Sequence, residues 1–123
     1  MRRQVRLSLP AQADIAHILA ESEQLFGLAA RRRYDALIRT ALKDIGENAE
    51  RAGARHRSDF GPGIFVYPLM LSRARAQIPE GKVRRPRHVI VFRLVGHDLV
   101  DVGRVLHDSM DFIRHIPPEY RQG

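Results

Sequence analysis

The chain contains no cysteine in its 123 residues. Disulfides, thiol nucleophiles and cysteine-ligated zinc or iron–sulfur centres are therefore excluded, and the composition fits a reducing compartment. Lysine is nearly absent too: of 21 basic residues, two are lysine and nineteen are arginine. No long apolar run occurs. The longest, Ile64–Leu71, is interrupted chemically by Pro68 and falls far short of the ~20 residues that span a bilayer. Met1-Arg2-Arg3-Gln4 opens the chain without an apolar signal segment behind it, so a cytoplasmic protein without membrane attachment is expected. Repeats and low-complexity segments are missing as well.

The length corresponds to one domain, residues 1–123, able to bury roughly two thirds of its unfolded surface. The net charge of +7 is unevenly placed. Residues 1–59 carry eleven basic and eight acidic side chains, 73–93 carry seven and one, and 94–123 carry three and five. The excess thus sits in Arg73, Arg75, Lys82, Arg84, Arg85, Arg87 and Arg93. Such a stripe suits an acidic protein partner or phosphates, or is a solvated loop in an arginine-preferring chain.

Gln4–Leu9 alternates polar and apolar residues with the period of a half-buried strand. Pro10 suits the first turn of a helix, where its missing N–H costs nothing. From Ala11 the rhythm changes. Ile15, Ile18, Leu19, Leu25 and Phe26 fall on one helical face, and Gly27 supplies a C-cap. Tyr34, Leu37, Ile38, Ala41, Leu42 and Ile45 repeat the three-four spacing of a second amphipathic helix. The short gap between the two allows only an antiparallel hairpin. Arg31-Arg32-Arg33 lies near the positive end of the second helix dipole, a place that solvent or a partner must relieve.

After a polar, turn-rich stretch (50–62), Ile64–Leu71 reads as a strand that Pro68 confines to an edge or a bulge. Residues 72–86 form an arginine-rich connection, with a turn at Pro79-Glu80-Gly81, expected to be mobile without a partner. His88–Val95 and Asp98–Val105 read as strands joined at Gly96-His97. Strict alternation puts Leu99, Asp101, Gly103 and Val105 on one face, and Val100, Val102, Arg104 and Leu106 on the other. A guanidinium among three aliphatics needs an acceptor, for which Asp101, Asp108 and Asp111 are candidates. Asp108-Ser109-Met110-Asp111 supplies an N-cap and first-turn acid for a short helix ending before Pro117-Pro118.

The last strand therefore ends in a polar cluster, Arg104-Val105-Leu106-His107-Asp108-Ser109-Met110-Asp111. Phosphoryl transfer needs charge stabilisation on the phosphate and a base within hydrogen-bond reach. Arg87, Arg104 and His107 could supply both; equally, His107 and Arg104 could be structural, hydrogen-bonded and ion-paired in place. His88 and His97 show no metal spacing, so no metal site is expected. Ser109 beside His107 and Asp108 is adjacency rather than a hydrolase triad.

The element order, strand, helical hairpin, strands and terminal helix, gives an α+β layer fold. An N-terminal strand and an antiparallel helical hairpin would pack on a three- to four-stranded, mainly antiparallel sheet with a short C-terminal helix. Three pieces resemble the RelE/ParE toxins of bacterial type II toxin–antitoxin pairs: Leu7-Ser8-Leu9-Pro10-Ala11-Gln12-Ala13-Asp14-Ile15, Val89–Val95, and Val102–Asp111. The last is similar to the ending of the ParE branch and carries most of the specificity. The resemblance spans nearly the whole chain.

The resemblance implies one of two activities. RelE-like members are ribosome-dependent mRNA endonucleases that use several basic residues and a tyrosine or histidine. ParE-like members keep the fold, lack that set and poison DNA gyrase. Either is silenced by a cognate antitoxin, ParD-like or other, whose C-terminal segment wraps the toxin; no cofactor is implied. The chain departs from the nuclease pattern. Its basic residue at the entry to the strand Val89–Val95 is Arg87, displaced; the final helix offers Phe112 where a tyrosine is needed; and residues 58–71 hold no basic residue. Segment 72–86 also departs from short ParE-like members, as an insertion.

A ParE-like gyrase inhibitor without catalytic residues is thus expected, with an endonuclease using Arg87, Arg104 and His107 as the alternative. Antitoxin binding is expected at Arg31, Arg32, Arg33, Arg73, Arg75, Arg84 and Arg85, with apolar anchors beside Leu37 and Ile38. Arg104, His107, Asp108, Asp111 and Phe112 are expected to face the target. Direct nucleic-acid binding is not expected.

Overall fold

The computed structural model describes residues 2–50, 53–110 and 112–121. In chain order come strand β1 (Gln4–Leu7), helices α1 (Leu9–Phe26) and α2 (Leu28–Glu47), and strands β2 (Arg55–His56), β3 (Ile64–Pro68), β4 (His88–Val95) and β5 (Leu99–His107). Two one-turn helices, α3 (Phe112–His115) and α4 (Pro118–Arg121), follow. The expected α+β architecture is present, but the sheet has five strands in the order β1-β5-β4-β3-β2. It is mixed, because β1 runs parallel to β5. The strand that periodicity missed is β2, two residues paired with Phe65 and Val66 and too short to show a pattern.

Local chemistry sets the hairpin. Ser8 Oγ accepts the Ala11 N–H at 3.1 Å and Pro10 occupies the first turn of α1. Gly27, at φ +94°, ends α1 and starts α2 in a single residue: its N–H reaches Glu23 O, and its carbonyl receives the Arg31 N–H. That backbone region favours glycine, so the abrupt reversal is written at this position.

The hairpin covers one sheet face. Ile18, Leu19, Leu37, Ile38, Ala41 and Ile45 bury against Tyr67, Ile90, Phe92, Val100, Val102 and Val105. The opposite face is closed by Phe60, Ile116 and Tyr120 over Ile64, Val66, Val89, Val91 and Leu106. Cover on both faces explains why β4 reads as a nearly unbroken apolar run. Each fully enclosed side chain, such as Phe92 or Ile90, contributes about 1.5–3 kcal/mol. Leu25 and Phe26 do not share the buried face of α1 as expected; they are 62% and 76% exposed. Burial along α1 stops at Leu19, so its last turn extends past the sheet.

Strand β3 ends at Pro68, short of Leu71, because proline has no N–H for the ladder and a 3-10 turn (Leu69–Arg75) takes over. That turn leads into the 72–86 segment, which is tied to the hairpin and to itself at several points. Asp44 on α2 is buried and accepts from Ser72 Oγ at 2.6 Å and from Arg75, while Tyr67 Oη meets Ser72 Oγ at 2.8 Å. Arg73 Nε donates to Val83 O, and Ile78 bridges Gly81. Glu80 takes Arg32 Nη1 on its carboxylate and Arg33 Nη1 on its carbonyl, both at 3.1 Å. A buried carboxylate requires donors, and this segment brings them.

Strand β5 also departs from strict alternation. Phe92 pairs with Val102 and Val91 with Arg104, so Gly103 is one extra residue, a β-bulge. The faces switch there: Val100, Val102 and Val105 all point to the hairpin, and Arg104 shares the opposite face with Leu106. A Cβ on Gly103 would stand 2.8 Å from three atoms of the Tyr120 ring, whose hydroxyl donates to Asp101 O at 2.7 Å. Only glycine lets that ring lie on the bulge.

Candidate functional site

Register along β4 and β5 sets His88 directly opposite His107, at the end of the ladder away from the turn. Their rings meet edge-on at 5.2 Å. From α2, Tyr34 Oη lies 2.5 Å from His88 Nδ1, a distance suited to an O–H donor. His107 Nδ1 receives the Ser109 N–H at 3.1 Å and meets Ser109 Oγ at 2.7 Å. A backbone N–H can only donate, so His107 Nδ1 is an acceptor and Nε2 carries the proton. The Tyr34 hydroxyl can donate or accept, so that contact by itself does not fix the tautomer of His88. His107 is thus left with an Nε2–H donor, beside the edge-on ring of His88.

These residues line a cleft of about 640 Å³ between the β4–β5 ladder end and α1, with Ile18, Leu25 and Phe26 on its apolar side and Arg85 and Arg87 on its basic side. Burial, then the neighbouring His107, push His88 down to about 4, so it is neutral near pH 7. Burial likewise raises the Tyr34 hydroxyl to about 12 and keeps it protonated. Periodicity places Tyr34 on the apolar face of its helix, and spacing along the chain gives His88 no partner. The signal that unites them with His107 is strand register, not spacing along the chain.

The other expected site residues are distributed as follows. Arg104 pairs neither with Asp101 nor with Asp108. Its partner is Asp14 on α1, in a two-pronged contact of 2.7 and 2.8 Å, and Asp14 also accepts the Val105 N–H at 2.9 Å. Arg104 Nη1 further donates to His115 O at 3.1 Å. Arg87 is gripped by Asp108 through contacts of 2.9 to 3.1 Å. That contact holds the Asp108 carboxyl below the usual carboxylate range. Asp108 and Ser109 both approach Nδ1 of His107, whereas a relay triad needs carboxylate and hydroxyl on opposite ring nitrogens. Phe112 is half-buried and stacks edge-on against Phe60, and Asp111 lies outside the described residues.

The basic residues expected to meet an antitoxin divide in two. Arg31 pairs with Glu23, Arg32 and Arg33 with Glu80, Arg75 with Asp44, and Arg73 with a carbonyl, all within the chain. Arg84 and Arg85 are exposed. Leu37 and Ile38 are 1% and 2% exposed, enclosed between hairpin and sheet, and so offer no surface beside which a partner could anchor.

The chain is thus a small α+β protein, a strand-first helical hairpin on a mixed sheet with polar residues at the far end of the last two strands. Residues 5–112 match the family described as the ParE toxin of the type II toxin-antitoxin system parDE, and the chain belongs to that family. It is a toxin of such a system, for which membership implies a cognate antitoxin. A search of the curated proteins finds no match. Among the described residues, no helix is long and apolar enough to cross a membrane, and no group of three or more histidine or acidic side chains could hold a metal ion.

Proposed function

We propose that this toxin acts in the cytoplasm by inhibiting DNA gyrase through surface contacts, without cleaving RNA itself, and that a ParD-like antitoxin neutralises it. The observation that carries this reading is the state of the two arginines that RNA cleavage would need. Arg104 is clamped by Asp14 and Arg87 by Asp108, so neither can take a phosphate without giving up its carboxylate. The absence of any basic residue across 58–71 points the same way. We assign the gyrase-facing surface to the end of β5 and the turn after it, from Arg104 and His107 through Asp108 to Phe112, including Asp111.

One observation favours a second reading. Tyr34, His88 and His107 share a cleft with Arg85, and imidazoles can move protons in 2′-hydroxyl attack on phosphate. Induced expression in cells separates the two. Double-strand breaks with blocked supercoiling by purified gyrase are expected. Rapid translation arrest with cleaved mRNA, abolished by His107→Gln in a folded variant, would overturn the gyrase reading in favour of the endonuclease.

A further inference from the structure

A second hollow of about 350 Å³ lies beside the histidine cleft, between the hairpin and the 72–86 segment. Its charge is one-sided. Arg33 reaches it from α2, Arg84 and Arg85 from the segment, and no acidic residue lines it. Among the described residues, none of these three guanidinium groups touches a carboxylate. Arg33 is half-buried, yet its hydrogen bond goes to the Glu80 carbonyl at 3.1 Å, while the Glu80 carboxylate is taken by Arg32. Three like charges around one small hollow repel one another, and a half-buried charge without a counter-ion is costly. Elsewhere the chain pairs such groups: Arg104 with Asp14, Arg75 with Asp44, Arg87 with Asp108. Here the counter-charge must come from outside the chain.

The fold holds this charge in place. The Arg33–Glu80 bond ties the segment to α2, and Arg73 Nε grips Val83 O immediately before Arg84. A preformed wall spares a ligand the entropy of ordering it. The hollow opens into the histidine cleft, because Ser22, Phe26, Tyr34 and Arg85 line both. That cleft, at about 640 Å³, has different walls. Leu25, Phe26 and Met110 line it, 62%, 76% and 45% exposed, and His107 contributes its Nε2–H. An exposed aromatic ring is a platform on which a planar base stacks. Forked guanidinium donors match phosphate oxygens. A lone carboxylate does not balance three arginines, whereas a di- or triphosphate concentrates enough charge in one short chain.

We infer that the two hollows form one nucleotide site, which binds a nucleoside di- or triphosphate with its phosphates on Arg33, Arg84 and Arg85 and its base on Phe26. The His107 Nε2–H would donate to an acceptor on the edge of the base. The inference does not rest on the gyrase reading, since the site lies within the free chain and is tested without any target.

The full chain is titrated by calorimetry with ADP, AMP, adenosine, inorganic pyrophosphate and a single-stranded hexanucleotide. ADP is expected to bind about 10-fold tighter than AMP or pyrophosphate, with adenosine weakest. ADP is then titrated into three variants, each confirmed as folded by circular dichroism. R84E/R85E should lose about 100-fold or more in affinity, and Phe26→Ser about 10-fold, the scale of one lost base stack. Arg39→Glu, at an exposed arginine of α2 that lines neither hollow, should stay within about threefold of the unaltered chain. No saturable ADP binding, or ADP affinity unchanged in R84E/R85E, would overturn the site. Pyrophosphate binding as tightly as ADP, with Phe26→Ser unaffected, would reduce it to an anion site and overturn the base contact. A hexanucleotide that binds more tightly than ADP would assign the hollows to a nucleic-acid strand instead.

Discussion

Two polar regions flank the end of β5, and they differ in what they leave unsatisfied. At Arg104 every strong group is spoken for: Asp14 takes both prongs of the guanidinium and a backbone N–H, and His115 O takes the remaining donor described. On the other face, His88 and His107 each have one ring nitrogen hydrogen-bonded and the other with no partner among the described residues, in a cleft with exposed Phe26 and Arg85 beside them. The first region ties α1 to the sheet and the C-terminal turn. The second has capacity for something outside the chain. Charge density along the sequence does not separate the two; hydrogen-bond accounting does.

The sharpest way to break this contrast is Asp14→Ala. It strands a part-buried guanidinium and a backbone donor together, and we expect a loss of about 1–3 kcal/mol in urea unfolding. A change under about 0.5 kcal/mol would mean the corner is not the tie described here. Gly103→Ala follows, since the added methyl would meet the Tyr120 ring backed by the second core; a cost of about 1–3 kcal/mol is expected, with Tyr120 displaced. Wild-type stability with an unmoved ring would disprove the packing argument.

The cleft should respond to pH instead. His88 takes a proton near 6.5 when unfolded but near 4 when folded, so the unfolded chain binds more protons between those values. Stability is therefore complete above about pH 6.5 and declines as pH falls toward 4. In His88→Gln that part of the acid limb should flatten, as followed by thermal unfolding from pH 7 to 4; an unchanged slope would assign the acid sensitivity elsewhere. The smallest effect is expected at Phe26. Phe26→Ser removes an exposed ring and should leave stability within about 0.5 kcal/mol while lowering nucleotide affinity. A large destabilisation there would show that the hairpin tip is structural.

Much of the fold was readable from local pattern. Ser8, Pro10 and Gly27 mark helix ends by their own chemistry, and the runs at 88–95 and 99–107 need no distant information to read as strands. What escaped depended on residues far apart. The partner of Arg104 stands 90 positions away on α1, while three nearer aspartates were the local candidates. The 72–86 segment reads as a solvated loop because its arginines are polar, and the buried carboxylate that accepts from Ser72 and Arg75 lies on a helix 28 and 31 residues upstream. Leu37 and Ile38 looked like groove-liners for the same reason that they are core: an amphipathic face does not state what covers it.

The sequence by itself determined the helices, the main strands, the family and the position of the polar cluster after β5. Only the tertiary structure decided which part of that cluster is closed and which is open. The physical reason is one residue. Counting back from the turn, His88 would face Leu106, but the extra residue at Gly103 shifts the register and brings His107 opposite. That bulge is bound up with the Tyr120 ring packed on it from the far end of the chain. Alternation along a strand is local chemistry; where it breaks is set by what packs against it.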